Sequence, residues 1–250
     1  MSGLTLTGSG LPTDPVLTEG SGAPGTYTTT LTPTVAGMKT LGTGGLGSFN
    51  LTTTLNVSAF FTGISVNNFN FPMNSSFPTT GFVNGYFNMN ISGGQANDFI
   101  WSVNQTWLSV TNGLIRINVE PTSGTNTVII TATPKQGGTP ATYTFTLQKW
   151  FIAHPGRQTK IKTDAINYCA SLNATLPTRA ELTAGRNVRA VQALYSEWGD
   201  ISNYAEISGM AYRAIDVITK NNSSGVQLID GLAYNIDNNT RYPFYCKKNL

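Results

Sequence analysis

The chain has 250 residues, of which 40% are hydrophobic, 10% aromatic and only 11% charged. The hydrophobic content excludes a disordered chain, and the length allows more than one core, because domains commonly comprise about 100–150 residues. A net charge of +3, spread over scattered side chains, is too weak to predict a nucleic-acid-binding surface. Few charges together with abundant Thr, Asn and Gly indicate an extracellular β-rich protein.

The charges are divided unevenly along the chain. Residues 1–148 hold three basic and four acidic side chains, whereas residues 149–250 hold twelve basic and eight acidic ones. This change predicts a domain boundary near Lys149. No segment has the roughly 18–20 apolar residues of a membrane-spanning helix, and the N-terminal "MSGLTLTGSG" lacks the features of a signal peptide. The chain is therefore either cytosolic or a piece of a longer exported chain, and its composition favours the exported piece, which we do not expect to span a membrane itself.

The first two thirds of the sequence predict β-structure throughout. In residues 1–62 the runs "LTLTG", "GTYTTTLTP" and "FNLTTTLNVSAFF" predict a partial or reduced Ig-like domain. Residues 63–148 contain seven short strand-like segments separated by turn signals such as "SGGQAND" and "KQGGTPA". Alternation is regular in "GYFNMNIS", so this segment predicts an Ig-like antiparallel β-sandwich.

Helical patterns begin after Lys149 and predict a third, α+β domain over residues 149–250. "TDAINYCASL" has helical spacing with Thr163 as its expected N-cap, and Thr178 with Glu181 forms a capping box before a second helix. Short strands, "GVQLIDG" and "YPFYCKK", follow. The apolar junction at Trp150–Ile152 contains no Gly/Ser linker, which predicts a buried, stiff connection.

The two cysteines, Cys169 and Cys246, are 77 residues apart and fit no zinc pattern. A catalytic pair with the sole histidine, His154, lacks an orienting partner, and two unlinked buried thiols are a further alternative. We favour a disulfide that joins the first helix of the last domain to its last strand. Such a bridge contributes about 4–4.5 kcal/mol in the chain-entropy model and implies an oxidising compartment.

Six segments of the last 110 residues, taken in order, resemble the C-terminal region of intimin/invasin-type adhesins. They are "TYTFTLQKWFI", "DAINYC", "LPTRAELT", "LYSEWGDISNY", "VQLIDG" and the terminal "FYCKKNL". The resemblance covers residues 64–250, with a weaker match before them. It implies Ig-like spacer domains capped by a C-type-lectin-like domain, displayed from the bacterial outer membrane as part of a longer chain.

The resemblance also implies a function, namely binding of a host-cell surface receptor by the lectin-like tip. Intimin-like tips bind a protein and invasin-like tips bind integrins, so we expect a protein partner for a monomeric chain, with a calcium-independent glycan site or a display role as the alternative. The E-P-N, Q-P-D and W-N-D triplets of calcium-dependent lectins are absent. We therefore predict no metal and no cofactor.

Two segments of the last domain carry the side chains typical of binding surfaces. In segment 194–204, Tyr195 and Trp198 either contact a partner or fill the core. Segment 220–241 is either a binding surface or an ordinary solvated strand-loop-strand. The predicted receptor-binding residues are Asp200, Tyr204, Asp230, Tyr234, Asp237 and Arg241.

No catalytic motif is present in the sequence, so we expect no enzymatic activity. The one close carboxylate pair of interest, Glu197 and Asp200, is explained by a surface loop.

Overall fold

The structure is a computed structural model. It describes residues 4–7, 10–12, 18–19, 27–43, 52–122, 124–155, 158–207 and 209–250. The chain divides into two compact units, one of residues 1–62, 90–102 and 130–143, the other of residues 63–89, 103–129 and 144–250. Much of the predicted domain 1–62 lies outside the described residues, and the boundaries 1–62, 63–148 and 149–250 stay a prediction.

The N-terminal segment forms two small sheets. Its strands are β1 Leu4–Thr7, β2 Thr18–Glu19, β3 Tyr27–Thr28, β4 Gly37–Thr43 and β5 Thr52–Val57. The central strand β4 pairs antiparallel with both β1 and β5, and β2 pairs with β3.

The next strands follow at short intervals, as the turn signals predict. They are β6 Phe61–Val66, β7 Phe69–Phe71, β8 Thr80–Gly81, β9 Tyr86–Ile91, β10 Phe99–Val103, β11 Leu108–Thr111, β12 Leu114–Ile117, β13 Thr127–Pro134 and β14 Ala141–Thr146. All of them except β8 form a five-stranded sheet, in the order β11-β12-β9-β6-β7, and a three-stranded sheet, in the order β10-β13-β14.

Alternation in β9 decides which face of the five-stranded sheet is buried. Phe87 and Met89 are buried, while Asn88 between them is exposed. The Phe87 ring meets the ring of Phe145 in β14, with 6.0 Å between their centres. The apolar faces of the two sheets therefore share a core, as the sequence pattern predicts.

The C-terminal part combines three short helices with two small sheets. Its elements are β15 Lys149–Ala153, α1 Lys162–Ser171, α2 Arg179–Leu182, α3 Leu194–Trp198, β16 Tyr212–Val217, β17 Asn222–Val226, β18 Ala233–Asp237 and β19 Tyr245–Asn249. Strands β16, β17 and β18 form one sheet. None of the helices in the described ranges is both long enough and apolar enough to cross a membrane.

Strand β15 anchors the start of this C-terminal part. It pairs antiparallel with β19 and parallel with β8, so one strand is shared by segments far apart in sequence. Trp150 and Phe151 are buried, and Ile152 is half-buried. The prediction of a buried junction at these residues is confirmed.

Of the two capping predictions, the one for α2 is confirmed and the one for α1 is wrong. Thr178 and Glu181 form the predicted capping box, with the Thr178 N–H donating to the Glu181 carboxylate at 2.9 Å. The prediction that Thr163 caps α1 is wrong, because the helix begins one residue earlier, at Lys162. The Lys162 N–H donates to Asn238 O and its Nζ to Ile215 O, and these bonds fix the entry of the helix.

The cysteines are joined, and the bridge connects α1 to β19. Cys169 and Cys246 have their Cα atoms 5.3 Å apart, and both are fully buried in an apolar cluster with Phe244. The His154 ring lies tilted against the rings of Tyr168 and Phe244, with ring centres 4.2 and 5.0 Å away. The predicted disulfide is confirmed, and both the unlinked thiols and the catalytic Cys–His pair are excluded.

Candidate functional site

The segment "LYSEWGD" holds the C-terminal part in place from within. All five residues of α3 are buried. Gly199 ends the helix with a positive φ of 73°, and a Cβ there would lie 2.7 Å from the Arg189 guanidinium. Tyr195 is also interior, and its ring lies so near Gly231 that a Cβ there would be 2.4 Å from it. The core interpretation of this motif is therefore correct.

Glu197 is the most constrained side chain of the segment. One of its oxygens accepts hydrogen bonds from Thr79 Oγ1 at 2.5 Å and from the Gln192 N–H at 2.8 Å. The other accepts from the N–H of Thr80 at 2.8 Å and from its Oγ1 at 2.6 Å. Burial raises the pKa of Glu197, and these hydrogen bonds oppose that shift. The prediction that Glu197 lies in a surface loop is wrong, because the carboxylate joins two distant segments.

Trp198 stands beside this carboxylate and completes the anchor. Its Nε1 donates to Thr80 Oγ1 at 3.0 Å, so its polar atom has a partner although the side chain is fully buried. The ring packs against those of Phe77 and Phe82, with centres 5.3 and 5.1 Å away.

Arg189 and Asn67 fasten the same segment from the side. Arg189 donates to the carbonyl oxygens of Val66 and Glu197 and lies 4.9 Å above the ring of Phe69. The Asn67 amide donates to the carbonyl oxygens of Trp198 and Asp200 at 3.1 and 2.9 Å. The sequence gives no signal for the contacts of Arg189 with Val66 and of Asn67 with Trp198 and Asp200, because these partners are more than 120 residues apart.

The two predicted receptor residues of the first segment are engaged within the fold. The Asp200 carboxylate accepts from the Ser202 N–H at 2.9 Å and caps a short 3-10 helix, Ile201–Asn203. Tyr204 is buried, its hydroxyl donates to Trp198 O at 3.2 Å, and burial raises its pKa. The burial of Tyr204 argues against direct contact with a receptor.

Two predicted aspartates of the second segment shape turns. Asp230 accepts from the Leu232 N–H at 3.0 Å and forms an ion pair with Arg186 at 2.9 Å. Asp237 accepts from the N–H groups of Asn239 and Thr240 at 2.7 and 2.9 Å. Both carboxylates therefore fix the loops on which they lie.

The remaining two predicted residues, Tyr234 and Arg241, are exposed. Tyr234 lines a hollow of about 260 Å³ together with Met210 and Tyr242, and 42% of the surface of both Tyr234 and Met210 is exposed. The Tyr234 hydroxyl donates to Gln227 Oε1 at 3.0 Å, which holds its ring at the rim. An exposed aromatic ring held in one orientation, beside an exposed methionine, is typical of a protein-binding surface.

Arg213 is a buried side chain that contacts the residues next to this surface. It is fully buried in β16, and its guanidinium donates to the carbonyl oxygens of Asp237 and Thr240 at 3.1 and 2.7 Å. The same group lies 5.4 Å from the ring of Tyr242, and burial lowers its pKa. The sequence gives no sign that Arg213, the second residue of β16, faces inward.

Replacing Arg213 by methionine is expected to loosen the 237–240 turn, because two part-buried carbonyl oxygens lose their donors. We expect the free energy of unfolding to fall by about 2 kcal/mol. Hydrogen exchange at the Asn239 and Thr240 amides should accelerate about tenfold or more relative to the wild-type chain. The exposed Arg241→Met is the control and should change the free energy of unfolding by less than about 0.5 kcal/mol. Equal exchange rates in both variants would contradict the supporting role of Arg213.

The described residues contain no group of three or more His, Cys, Asp and Glu side chains able to hold a metal ion. The absence of a metal and of a cofactor from this protein stays a prediction.

Comparison with known proteins shows which proteins this chain resembles. Residues 62–145 match the family described as invasin, domain 4. The inverse autotransporter adhesin YeeJ of Escherichia coli (strain K12) is 34% identical over 152 residues, which are 58% of this chain. The chain is therefore similar to invasin/intimin-type adhesins. The resemblance predicted from the sequence is thus confirmed, although the matched region spans only 6% of YeeJ.

Solved structures of this adhesin type share the fold of the whole chain. The crystal structure of invasin, described as a bacterial integrin-binding protein, superposes with a TM-score of 0.69 at 22% identity and covers 100% of this chain and 52% of that one. A C-terminal fragment of intimin, in complex with the intimin-binding domain of the translocated intimin receptor, gives a TM-score of 0.61 at 17% identity. This match covers 99% of this chain and 88% of the fragment. The predicted fold class, Ig-like sandwich followed by an α+β lectin-like part, is confirmed.

Proposed function

We propose that this chain is the distal part of a cell-surface adhesin and that it binds a host-cell protein receptor through residues 149–250. Homology to adhesins supports a role in cell adhesion, and the named relatives are adhesins and not enzymes. Invasin is described as integrin-binding, and intimin was solved with a protein receptor domain, which supports a protein partner here.

The single observation that carries the choice of surface is the exposed, braced ring of Tyr234. Beside the hollow that it lines, Arg241 is also exposed, and Tyr and Arg are the residue types enriched at interface hot spots. The disulfide, the Arg213 contacts and the Glu197 anchor hold the scaffold under this surface. A rigid surface lowers the entropic cost of binding.

The test is the double variant Tyr234→Ala/Arg241→Ala, assayed for binding of the fluorescent chain to host cells. We expect its affinity to fall at least about tenfold, because two hot-spot side chains commonly contribute more than about 1 kcal/mol each. The matched control is Phe60→Ala/Lys135→Ala, which removes an exposed aromatic and an exposed cation from the other unit. Both variants should unfold at the wild-type denaturant midpoint. Undiminished cell binding by the Tyr234 variant would refute this surface.

A further inference from the structure

A second concave region, in which asparagine is the commonest lining residue, lies in the same compact unit as the Tyr234 hollow. This cleft has a volume of about 580 Å³ and is bounded by the outer face of the five-stranded sheet, the β6–β7 turn and the turn at Asn203 and Tyr204. No charged side chain lines it. Two tyrosines, Tyr86 and Tyr204, line it together with the amide or hydroxyl side chains of Ser65, Asn67, Asn68, Asn70, Asn88 and Asn203.

The floor of the cleft is shaped by a missing side chain. A Cβ at Gly63 would lie 2.7 Å from the Asn70 amide, so glycine there lets this amide lie across the neighbouring strand. Asn88 is exposed on the same sheet, because its neighbours Phe87 and Met89 take the buried face of β9. The two side chains therefore present amide groups on the outer face of the sheet.

The wall of the cleft is held in a fixed arrangement. Asn67, with a positive φ of 46°, donates from its amide nitrogen to Trp198 O and Asp200 O. Its amide oxygen accepts from Asn203 Nδ2 at 2.8 Å. Asn203 is exposed, and its hydrogen bond to Asn67 orients its amide before any ligand arrives. Preorganised polar groups bind with a smaller loss of entropy than mobile ones.

The chemistry of these side chains selects the class of ligand. An amide offers both a donor and an acceptor, and the hydroxyl groups of a sugar need both. An anionic ligand would meet no cation among the lining side chains, and a hydrophobic ligand would take the exposed amides of Asn68 and Asn88 out of water without replacing their hydrogen bonds. The volume lies within the range of about 300–1,000 Å³ that is usual for small-molecule sites. We infer that the cleft binds a neutral saccharide of short length.

This inference is independent of the proposed receptor surface. Tyr234 and Met210 line a different hollow, and no residue is shared between the two sets. Variants of the cleft should therefore lose saccharide binding alone, and variants at Tyr234 should lose receptor binding alone.

The experiment is a binding screen of the whole chain against immobilised oligosaccharides with neutral ends (galactose, fucose, N-acetylglucosamine) and their sialylated counterparts, followed by titration. We expect saturable binding of neutral members. The variant Asn68→Gly/Asn88→Ala should weaken it about tenfold or more, because two amide partners are lost. Glycine at position 68 keeps the positive φ of 60°, and position 88 is exposed, so the unfolding midpoint should not change.

Asn235→Ala is the matched control, since Asn235 is an exposed strand asparagine that lines the other hollow. It should bind neutral saccharides like the wild-type chain. Binding of no neutral oligosaccharide, preference for the sialylated members, or equal affinity of the Asn68/Asn88 variant and the wild type would each overturn the inference. Tyr234→Ala/Arg241→Ala should keep saccharide binding, so failure of the receptor proposal and failure of this one are distinguishable.

Discussion

Glu197→Gln is expected to lower the free energy of unfolding by about 3 kcal/mol, although it changes a single oxygen to an amide nitrogen. Each carboxylate oxygen faces at least one backbone N–H, that of Gln192 on one side and that of Thr80 on the other. A threonine hydroxyl can rotate to accept a hydrogen bond, but a backbone N–H cannot. Whichever way the new amide turns, one buried donor meets another donor, and a hydrogen bond to a charged group contributes about 1.5–3 kcal/mol.

Denaturant unfolding of the whole chain measures this effect, and Glu120→Gln is the control. Glu120 forms a partly exposed ion pair with Lys248 at 3.0 Å, so its loss should cost less than about 1 kcal/mol. Hydrogen exchange should also rise at the Thr80 amide in the Glu197 variant. If the two glutamine variants unfold at the same denaturant concentration, the anchoring role assigned to Glu197 is incorrect.

Removal of the disulfide is expected to have a larger effect. In the double variant Cys169→Ala/Cys246→Ala the free energy of unfolding should fall by about 4 kcal/mol, because the bridge closes a loop of 77 residues in the unfolded chain. The bridge is buried where α1 packs against β19, so its loss also leaves space in the core.

Equilibrium unfolding of the variant, and of the wild-type chain with and without reductant, measures this contribution. The variant should resemble the reduced wild type in its unfolding midpoint. A difference of less than about 1 kcal/mol between the oxidised chain and the variant would mean that the bridge does not hold the lectin-like part together.

The sequence predicts those features that depend on local pattern or on counting. Two cysteines without a zinc spacing leave one possible pairing within the chain, so the bridge between Cys169 and Cys246 could be anticipated. The capping box at Thr178 and Glu181 is a four-residue signal, and alternation in β9 is equally local. The fold class followed from these patterns and from the resemblance.

The sequence cannot predict features that depend on distant partners. Glu197 is exposed or buried according to the position of Thr79 and Thr80, which lie about 118 residues earlier in the chain. The same holds for Tyr204, whose ring packs against the distant Phe82 and Tyr86, and for Arg213, whose donors meet the 237–240 turn. Short-range patterns carry no information about such pairs.

The most direct test of the proposed receptor binding uses a photo-crosslinking amino acid at position 234. The chain that carries benzoylphenylalanine in place of Tyr234 is added to host cells and irradiated, and a chain with the same group at the exposed position 60 serves as control. We predict a covalent adduct with a host surface protein from position 234 and none from position 60. Binding of the position-234 chain to the cells without a protein adduct, or equal adducts from both positions, would contradict the proposal.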